Sequence, residues 1–414
     1  MWKPNQYLKR HKYPGGEIFE YSFKVSKFQP TKKFGEEKMK KSLIILIAGL
    51  FVMSMLAACA PQAAPVEEAP VEEAPAEEGA AEEVVEEKSF KDMDYKLAYI
   101  LNGASTDIFK MSFDAATAEA EKLGMSLDIF MSGGDDVVFQ DLINQAIEKD
   151  YDGLFISHGK SDYSFALVMK AVEAGKKVVT FDTVIVDEEG NGIPGVTTMF
   201  QDDQGMARIS LEFLLNEVLP DAPRPIRLLK LWRGPGVPPF DRRQEVYKEF
   251  EDNGDIVTLE ILGPSDPKNS EGSMNTVVAS VLPKYPEGSV DAIWSAYDAY
   301  GRGAYKALYE AGRSDIPLVT IDISNQDINY MVENPEVWKA CVAVHFENVG
   351  IQGIRLLAKK LHGDETPDTF NLRPSLVPAD QVTAEANVLN LHTIVEGYGV
   401  FDDNWEPWME ELQS

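Results

Sequence analysis

Apolar residues from Tyr95 onward form short continuous runs, separated by longer segments in which the apolar positions follow a helical period. Lys96–Leu101 is the first such run, and the segment around Phe109–Leu123 that follows it ends at Gly124. Short apolar runs bounded by turn-forming residues predict buried strands, and a 3.6-residue period predicts helices. The other strands expected in this first series are Ser126–Met131, Gly153–Ser157 and Val178–Asp182, and the other helices are Phe139–Lys149 and Tyr163–Ala174.

A second series of the same kind follows the first. Strands that are apolar throughout and alternate with helices predict parallel sheets covered on both faces. We therefore expect an α/β protein of two doubly wound parallel-sheet lobes, with a ligand site between the lobes at the carboxyl ends of the strands. The second series comprises the strands Ile226–Trp232, Ile256–Ile261, Ala292–Ser295 and Leu318–Asp322 and the helices Gln204–Glu217, one after Asp241, Gly272–Leu282 and Tyr300–Ala311.

Residues 39–58 have the pattern of a secretory signal peptide. Two lysines precede an apolar run from Leu43 to Met55, and small residues then lead to Cys59. The alternative is a membrane-spanning helix, but the run is shorter than the roughly 20 residues that a span needs. The ending Leu-Ala-Ala-Cys resembles the lipobox of bacterial lipoproteins. That resemblance implies a lipid on Cys59, which becomes the first residue of the mature protein and anchors it to the membrane.

The segments on either side of the signal differ from it in composition. Because a signal peptide begins at its own methionine, we interpret Met39 as the start and residues 1–38 as an upstream extension of the reading frame; a genuine extension is the alternative. Residues 59–92 are rich in Pro, Ala and Glu, which predicts an extended, solvated tether. Residues 1–58 hold 11 Lys or Arg and 4 Asp or Glu, whereas the whole chain has a net charge of -29.

Composition and motifs exclude several classes of function. The strongly acidic balance makes nucleic acid a poor partner. The two cysteines, Cys59 and Cys341, are too few for a disulfide framework, and we expect Cys341 to be a buried free thiol. Neither HExxH nor GxSxG is present, so we expect no enzyme and no cofactor. Residues 187–192 begin like a calcium loop, but Thr198 occupies the position of the bidentate Glu, so we expect a turn and no metal site.

Motifs over roughly residues 95–376 resemble those of the periplasmic sugar-binding proteins of the ribose- and galactose-binding type. The matching segments, in order, are Ser105–Phe109 before a helix, Val178–Asp182, Gly234–Arg243 opening a helix, Ile293–Asp298 and Val319–Asp322. The resemblance implies a type I periplasmic binding protein, with two lobes joined by a three-strand hinge. The hinge strands are expected near Met199–Gln201, Val344–His345 and Leu372–Ser375. Lobe one would comprise residues 94–199 plus 345–372, and lobe two residues 200–344 plus 373–414.

The same resemblance implies a set of ligand-binding residues. This chain departs from the family's motifs at two positions, where Thr106 and Tyr297 each replace an Asn. His345 lies where the family has a Gln near the hinge. Arg242 is the alternative to Arg243 as the binding arginine. Ionised carboxylates accept bonds from hydroxyls, Arg donates through a fixed fork, and aromatic rings cover the C–H face of a sugar. The implied set is Thr106, Phe109, Asp182, Arg243, Tyr297 and Asp322.

Several of these residues also have structural interpretations. Aspartates at strand ends are often helix caps. Without the resemblance, Asp182 and Asp322 would each be either a cap or a ligand. We expect a structural role for Asp298. Trp232 is expected at the edge of the cleft. His345 is expected to be either a hinge residue or a ligand donor.

The expected function is that of an extracytoplasmic binding lipoprotein, a monomer that captures a sugar or polyol and delivers it to the permease of an ABC importer. A nucleoside- or signal-binding protein of the same fold, serving transport or a sensor, is the alternative. A regulator of the lactose-repressor type shares the two-lobed core, but it would need a basic DNA-binding segment in place of the signal and the acidic tether.

We predict that translation starts at Met39 and that Cys59 carries the lipid. Mass spectrometry of the membrane fraction should then detect no peptide from residues 1–58. The variant Cys59→Ala should be neither processed at this site nor anchored. A mature protein that begins elsewhere, or an anchored Cys59→Ala variant, would contradict the prediction.

Overall fold

The computed structural model describes residues 8–12, 18–22, 90–187 and 189–412. The expected signal peptide at 39–58, Cys59, and the tether up to residue 89 lie outside these described residues. Near the N-terminus, β1 (Leu8–Lys12) and β2 (Ile18–Ser22) pair as an antiparallel hairpin. No helix in the described ranges is both long and apolar enough to cross a membrane.

Residues 90–412, where described, form two six-stranded sheets with helices between the strands, which confirms the expected fold class. The first sheet has the order β13-β7-β6-β5-β3-β4 and is parallel throughout. Its strands are β3 (Lys96–Leu101), β4 (Ser126–Met131), β5 (Gly153–Ser157), β6 (Lys177–Phe181), β7 (Thr197–Gln201) and β13 (Thr369–Leu372).

The second sheet has the order β14-β12-β11-β10-β8-β9. It is parallel except at one edge, where β14 pairs antiparallel to β12. Its strands are β8 (Ile226–Leu231), β9 (Ile256–Leu262), β10 (Ala292–Ser295), β11 (Leu318–Ile321), β12 (Trp338–Ala343) and β14 (Ser375–Pro378). The helices of the two lobes are α1 (Asp107–Lys122), α2 (Asp136–Glu148), α3 (Ser161–Glu173), α4 (Asp203–Phe213), α5 (Pro238–Asp252), α6 (Ser270–Val281), α7 (Asp298–Ala311), α8 (Asn325–Glu333), α9 (Glu347–His362) and α10 (Pro407–Glu411).

The central strands are mostly apolar because helices cover both of their faces. Along β3, Leu97 and Tyr99 pack into the cluster that includes α1 and α9, whereas Ala98 and Ile100 pack into the cluster of α2 and α3. Successive side chains of a strand point to opposite faces, so a strand covered on both sides is apolar at most positions rather than at alternate ones. Cys341, on β12, is a fully buried free thiol, as expected.

The chain passes between the sheets at three places. After Gln201 of β7 it enters α4, which packs on β11 and β12 of the second sheet. It returns from Ala343 of β12 to α9, which packs on α1, β5 and β6 of the first sheet. The third passage, between β13 and β14, is only the pair Arg373 and Pro374. A connection this short has no room for a crossover helix, and β14 pairs antiparallel rather than parallel to its neighbour.

The folded part begins earlier than expected. We placed residues up to 92 in the tether, but Phe90–Met93 forms a short 3₁₀-helix. The ring of Phe90 lies 4.9 Å from that of Tyr95 and 4.9 Å from that of Trp408. These contacts hold Phe90 in the folded part of the chain. The Glu-rich sequence before it has no aromatic residue that could pack in the same way.

The C-terminal segment also differs from expectation, because residues 401–412 pack on the first lobe rather than the second. Arg355 of α9 donates to the carbonyl oxygen of Asp403 (3.1 Å), and its guanidinium lies 4.8 Å from the ring of Trp405. Trp408 stacks on His362 with a centroid distance of 4.2 Å. Trp405 and Trp408 thus pack against α9 of the first lobe. Their position in the sequence does not indicate which lobe they contact.

We predict that Gly350→Ala lowers the free energy of unfolding by about 1–3 kcal/mol, a typical penalty for overpacking. Gly350 lies where α9 crosses α1, and a Cβ there would be 2.1 Å from the carbonyl oxygen of Ser112. Gly192→Ala is the control, since a Cβ at Gly192 meets no atom within 4 Å. Thermal and denaturant unfolding of both variants would test this, and equal stability would show that the helices separate without cost.

Candidate functional site

A cavity of about 250 Å³ lies between the lobes, at the carboxyl ends of the strands. This is the position at which doubly wound sheets bind their ligands. Its polar lining residues are Thr106, Gln201, Tyr297, Asp298 and Asp322. Its apolar and aromatic lining residues are Ile108, Phe109, Met111, Ile323, Ala343, Val344, Phe346, Val388 and Tyr398.

Asp322 presents a carboxylate to this cavity from the end of β11. Its backbone N–H donates to the carbonyl of Val342 (2.9 Å), and its φ of 71° turns the chain out of the sheet. Aspartate tolerates this left-handed conformation better than bulky residues do. Burial raises the pKa of Asp322 to about 6, although the positive charge of Arg243 acts in the opposite direction. The carboxylate is therefore an acceptor that lacks full solvation.

Arg243 does not line the cavity; it lies behind Asp322. Its side chain is 2 % exposed, against 24 % for Asp322. Nε donates to Asp203 (2.8 Å), while Nη1 donates to the carbonyl of Ala296 (2.5 Å) and to Asp322 (3.1 Å). Since these contacts occupy its guanidinium, Arg243 orients Asp322 in this structure. Arg242, the alternative, pairs with Asp203 at 2.6 Å.

Asp203 holds this arrangement in place and was missed in the sequence. It is the first residue of α4, is 2 % exposed, and accepts from both Arg242 and Arg243. An acidic residue in the first turn of a helix is usually explained by the helix dipole, so the pattern gave no reason to connect it to arginines about 40 positions away. Only the packing of α4 against α5 brings the three side chains together.

Asp182 lies on the first-lobe side, immediately after β6, with a φ of 44°. Burial, and next the negative charge of Asp203, raises the pKa of Asp182 to about 7. Its carboxylate is 4.0 Å from Nε2 of His158, which also has a positive φ of 63°. Burial lowers the pKa of His158 to about 4, so this ring is neutral at neutral pH and does not offset the charge of Asp182.

Aromatic rings form the first-lobe wall of the cavity. Phe109 meets His158 edge-on at 5.1 Å and Phe346 at 5.9 Å. Thr106 caps α1, because its hydroxyl accepts from the backbone N–H of Phe109 (3.4 Å). Phe109 was expected here; Phe346 was not, since it follows its strand without a recognisable motif.

Tyr297 and Asp298 line the second-lobe side at the start of α7. The ring of Tyr297 packs against Phe240 (5.7 Å) and Tyr300 (5.4 Å), and burial raises the pKa of its hydroxyl to about 12. Asp298 pairs with Arg302 at 2.7 Å. It thus has the structural contacts that we expected and also a place at the cavity.

Four expected residues do not line the cavity: Asp182 and Arg243, described above, and also Trp232 and His345. The ring of Trp232 lies 4.7 Å from Nζ of Lys230, on the side facing α5, so the cleft-edge position expected for it is not seen. His345 is 1 % exposed and lies behind Tyr398, with 5.1 Å between the ring centroids. Within the described residues both ring nitrogens of His345 lack a hydrogen-bond partner, and burial lowers its pKa to about 4.

Gln201, Val388 and Tyr398 are lining residues that sequence reasoning missed. Gln201 ends β7 at a passage between the lobes. Val388 and Tyr398 belong to the segment after β14, which has little regular structure and therefore no hydrophobic period to interpret. Among the described residues no group of three or more His, Cys, Asp or Glu side chains could hold a metal ion. The arrangement offers hydrogen-bond acceptors, a few hydroxyl and amide groups, and apolar surfaces.

The described lobes are similar to known proteins in both sequence and structure. The profile of a family described as "Periplasmic binding protein domain" matches residues 97–365. A crystal structure of a sugar ABC transporter from Yersinia enterocolitica has 38% sequence identity and a TM-score of 0.61, covering 79% of this chain and 95% of that one. No curated protein matches the chain.

Two more distant structures share the fold. One is a 5-methylthioribose transporter solute-binding protein from Thermotoga lettingae in complex with 5-methylthioribose, with 21% identity and a TM-score of 0.61 over 77% of this chain and 98% of that chain. The other is an ABC transporter solute-binding protein from Agrobacterium vitis with bound allitol, with 22% identity and a TM-score of 0.55 over 70% and 96%.

We predict that Asp182→Asn stabilises the ligand-free protein at pH 8, by up to a few kcal/mol, since asparagine has no charge to bury. The pKa of Asp182 is about 7 in the folded protein against an ordinary value of 3.8. The cost of ionisation therefore grows as pH rises from about 4 to 7 and is constant above that.

Thermal midpoints of both proteins at pH 5, 6, 7 and 8 would measure the effect. The gain should shrink as pH falls below 7. Asp114→Asn, at a carboxylate that is 66% exposed, should leave the midpoints nearly unchanged. A gain from Asp182→Asn that did not vary with pH would mean that charge burial is not its cause.

Proposed function

The chain belongs to the family of periplasmic binding proteins, and on that premise we propose that it captures a sugar or polyol between its lobes and delivers it to an ABC importer. The family places it outside the cytoplasm and among transport proteins rather than enzymes. The 38%-identical structure is described as a sugar ABC transporter, which supports the choice of ligand class.

The observation that carries the proposal is the carboxylate of Asp322, held by buried Arg243 and facing a wall of aromatic rings across the cavity. A sugar offers hydroxyl donors along its edges and C–H groups on its faces. An oriented carboxylate accepts from the hydroxyls, and rings such as Phe109 cover the faces. Because the partly buried carboxylate has lost part of its solvation, each hydroxyl that it accepts from restores a favourable contact.

The other lining residues would complete the hydrogen bonding. Thr106 and Tyr297 offer hydroxyls, and Gln201 offers an amide that donates and accepts. Asp182 would approach the ligand from the first lobe as the lobes close. In this proposal Arg243 is a positioning residue, and Trp232 and His345 support the cavity without contacting the ligand.

We further propose the arrangement of the chain in the cell. The lipid on Cys59 would hold the protein to the membrane, and the acidic tether would keep the lobes away from the surface so that they meet the permease. The lobes would move as bodies of residues 94–199 with 345–372 and of residues 200–344 with the segment after 373, apart from 401–412. We propose that the protein acts as a monomer, since both walls of the cavity come from one chain.

We predict that Asp322→Asn weakens sugar binding by at least tenfold, because a hydroxyl that loses an ionised partner in a dry site costs about 2–5 kcal/mol. A thermal-shift screen of sugars, polyols and nucleosides would find the ligand, and calorimetric titration would then compare the variants. Arg243→Ala should also weaken binding, through the lost orientation of Asp322.

Asp315→Asn is the matched control, because Asp315 pairs with Arg313 outside the cavity and its loss should leave affinity unchanged. Folding of each variant would be checked by circular dichroism. A folded Asp322→Asn variant that binds as tightly as the wild type would refute this site. Stabilisation by nucleosides alone would refute the proposed ligand class.

A further inference from the structure

In the second lobe, polar lining residues follow two neighbouring strands, and aliphatic lining residues follow the next strand. In the second sheet β10 neighbours β11, which neighbours β12. Tyr297 and Asp298 follow β10 and Asp322 follows β11, so the hydrogen-bonding groups of this lobe share one side. Ala343 ends β12 and Val344 follows it, so the next strand along contributes aliphatic groups.

The segment after β14 extends the apolar side. β14 pairs with β12, and the segment that follows supplies Val388 and Tyr398 to the cavity. Ile323, next to Asp322, and Met111 of α1 are further apolar members of the lining. We call five residues of this side the apolar wall: Met111, Ile323, Ala343, Val344 and Val388.

Hydrogen bonds fix the part of the apolar wall that comes from the C-terminal segment. The backbone N–H of Val388 donates to the side chain of Asn325 in α8 (2.9 Å). Close to Tyr398, the side chain of Asn348 donates to the carbonyl of Gly399 (2.8 Å), and Ser375 donates to that of Gly397 (2.7 Å). A wall held in this way is in place before a ligand arrives, so its selectivity does not require a rearrangement.

An ordinary sugar does not suit the apolar wall. A hydroxyl that faces valine and isoleucine side chains loses its bonds to water and gains no partner. Val388 and Tyr398 also lie outside residues 97–365, the range that the family profile matches.

We propose that the ligand is a sugar in which an apolar group replaces a terminal hydroxyl, such as a deoxysugar or a thioether-substituted sugar. Its remaining hydroxyls bind on the side of Asp322, and its apolar end packs on the apolar wall. The inference rests on the proposed function and makes it more specific.

Calorimetric titration with matched pairs tests it: D-ribose with 5-deoxy-D-ribose, D-galactose with 6-deoxy-D-galactose, and D-glucose with 6-deoxy-D-glucose. In every pair that binds, we expect the deoxy sugar to bind about tenfold more tightly or better. Val388→Thr places a hydroxyl on the apolar wall with little change of shape, and it should remove most of this preference. Val344→Thr, on the β12 side, serves the same purpose if Val388→Thr does not fold.

Val400→Thr is the matched control, because Val400 belongs to the same segment, is 41% exposed and does not line the cavity. It should leave the preference intact. Equal or tighter binding of the hydroxylated sugars overturns the inference while the proposed function stands, and so does a preference that neither threonine variant reduces. If none of the sugars binds, the proposed function fails and the inference fails with it.

Discussion

The buried ion pair between Arg243 and Asp322, with Asp203 behind it, is the interaction on which the cleft depends. It joins the start of α4, the body of α5 and the end of β11, and Arg243 also holds the carbonyl of Ala296 after β10. Burial alone would lower the pKa of Arg243, but the charges of Asp322 and Asp203 outweigh it and the pKa is raised. Pairs of this kind contribute little net stability on average, so the gain here is geometric: one carboxylate is fixed at the edge of the cavity.

Buried carboxylates and strained backbone at the cleft lower the stability of the folded protein. Asp182 and Asp322 both have raised pKa values because burial removes water from their charged forms. With His158 they also adopt positive φ, a conformation that non-glycine residues rarely take. Such features persist where the surrounding fold determines the backbone, and here they turn the chain at the ends of β5, β6 and β11. A ligand that donates hydrogen bonds to these carboxylates would offset part of the free-energy cost of burying their charges.

The two sides of the cavity have different origins in the chain. The side that carries Asp322 comes from strand ends of the α/β lobes, and the parallel order of the sheet brings those ends together. The apolar wall relies on the segment after β14, which follows no regular pattern and is fixed by bonds to Asn325 and Asn348. The lobes thus contribute the carboxylate that can accept from hydroxyl groups, and the segment after β14 contributes part of the apolar lining.

Most strands and helices and the two-lobed class could be predicted from the sequence, because a strand covered on both faces is mostly apolar, as residues 97–101 of β3 are. The sequence also placed Phe109, Tyr297 and Asp322 at the cavity, since each follows or flanks a strand end in a familiar motif. Three features could not be predicted and became clear from the three-dimensional structure: Arg243 lies behind Asp322, Trp232 packs on Lys230, and Val388 and Tyr398 line one side of the cavity. Those outcomes depend on which distant surfaces meet, as α4 meets α5 and the C-terminal segment meets both lobes. A local pattern of apolar and polar residues indicates which side chains of an element are buried. It does not indicate which distant residues cover them.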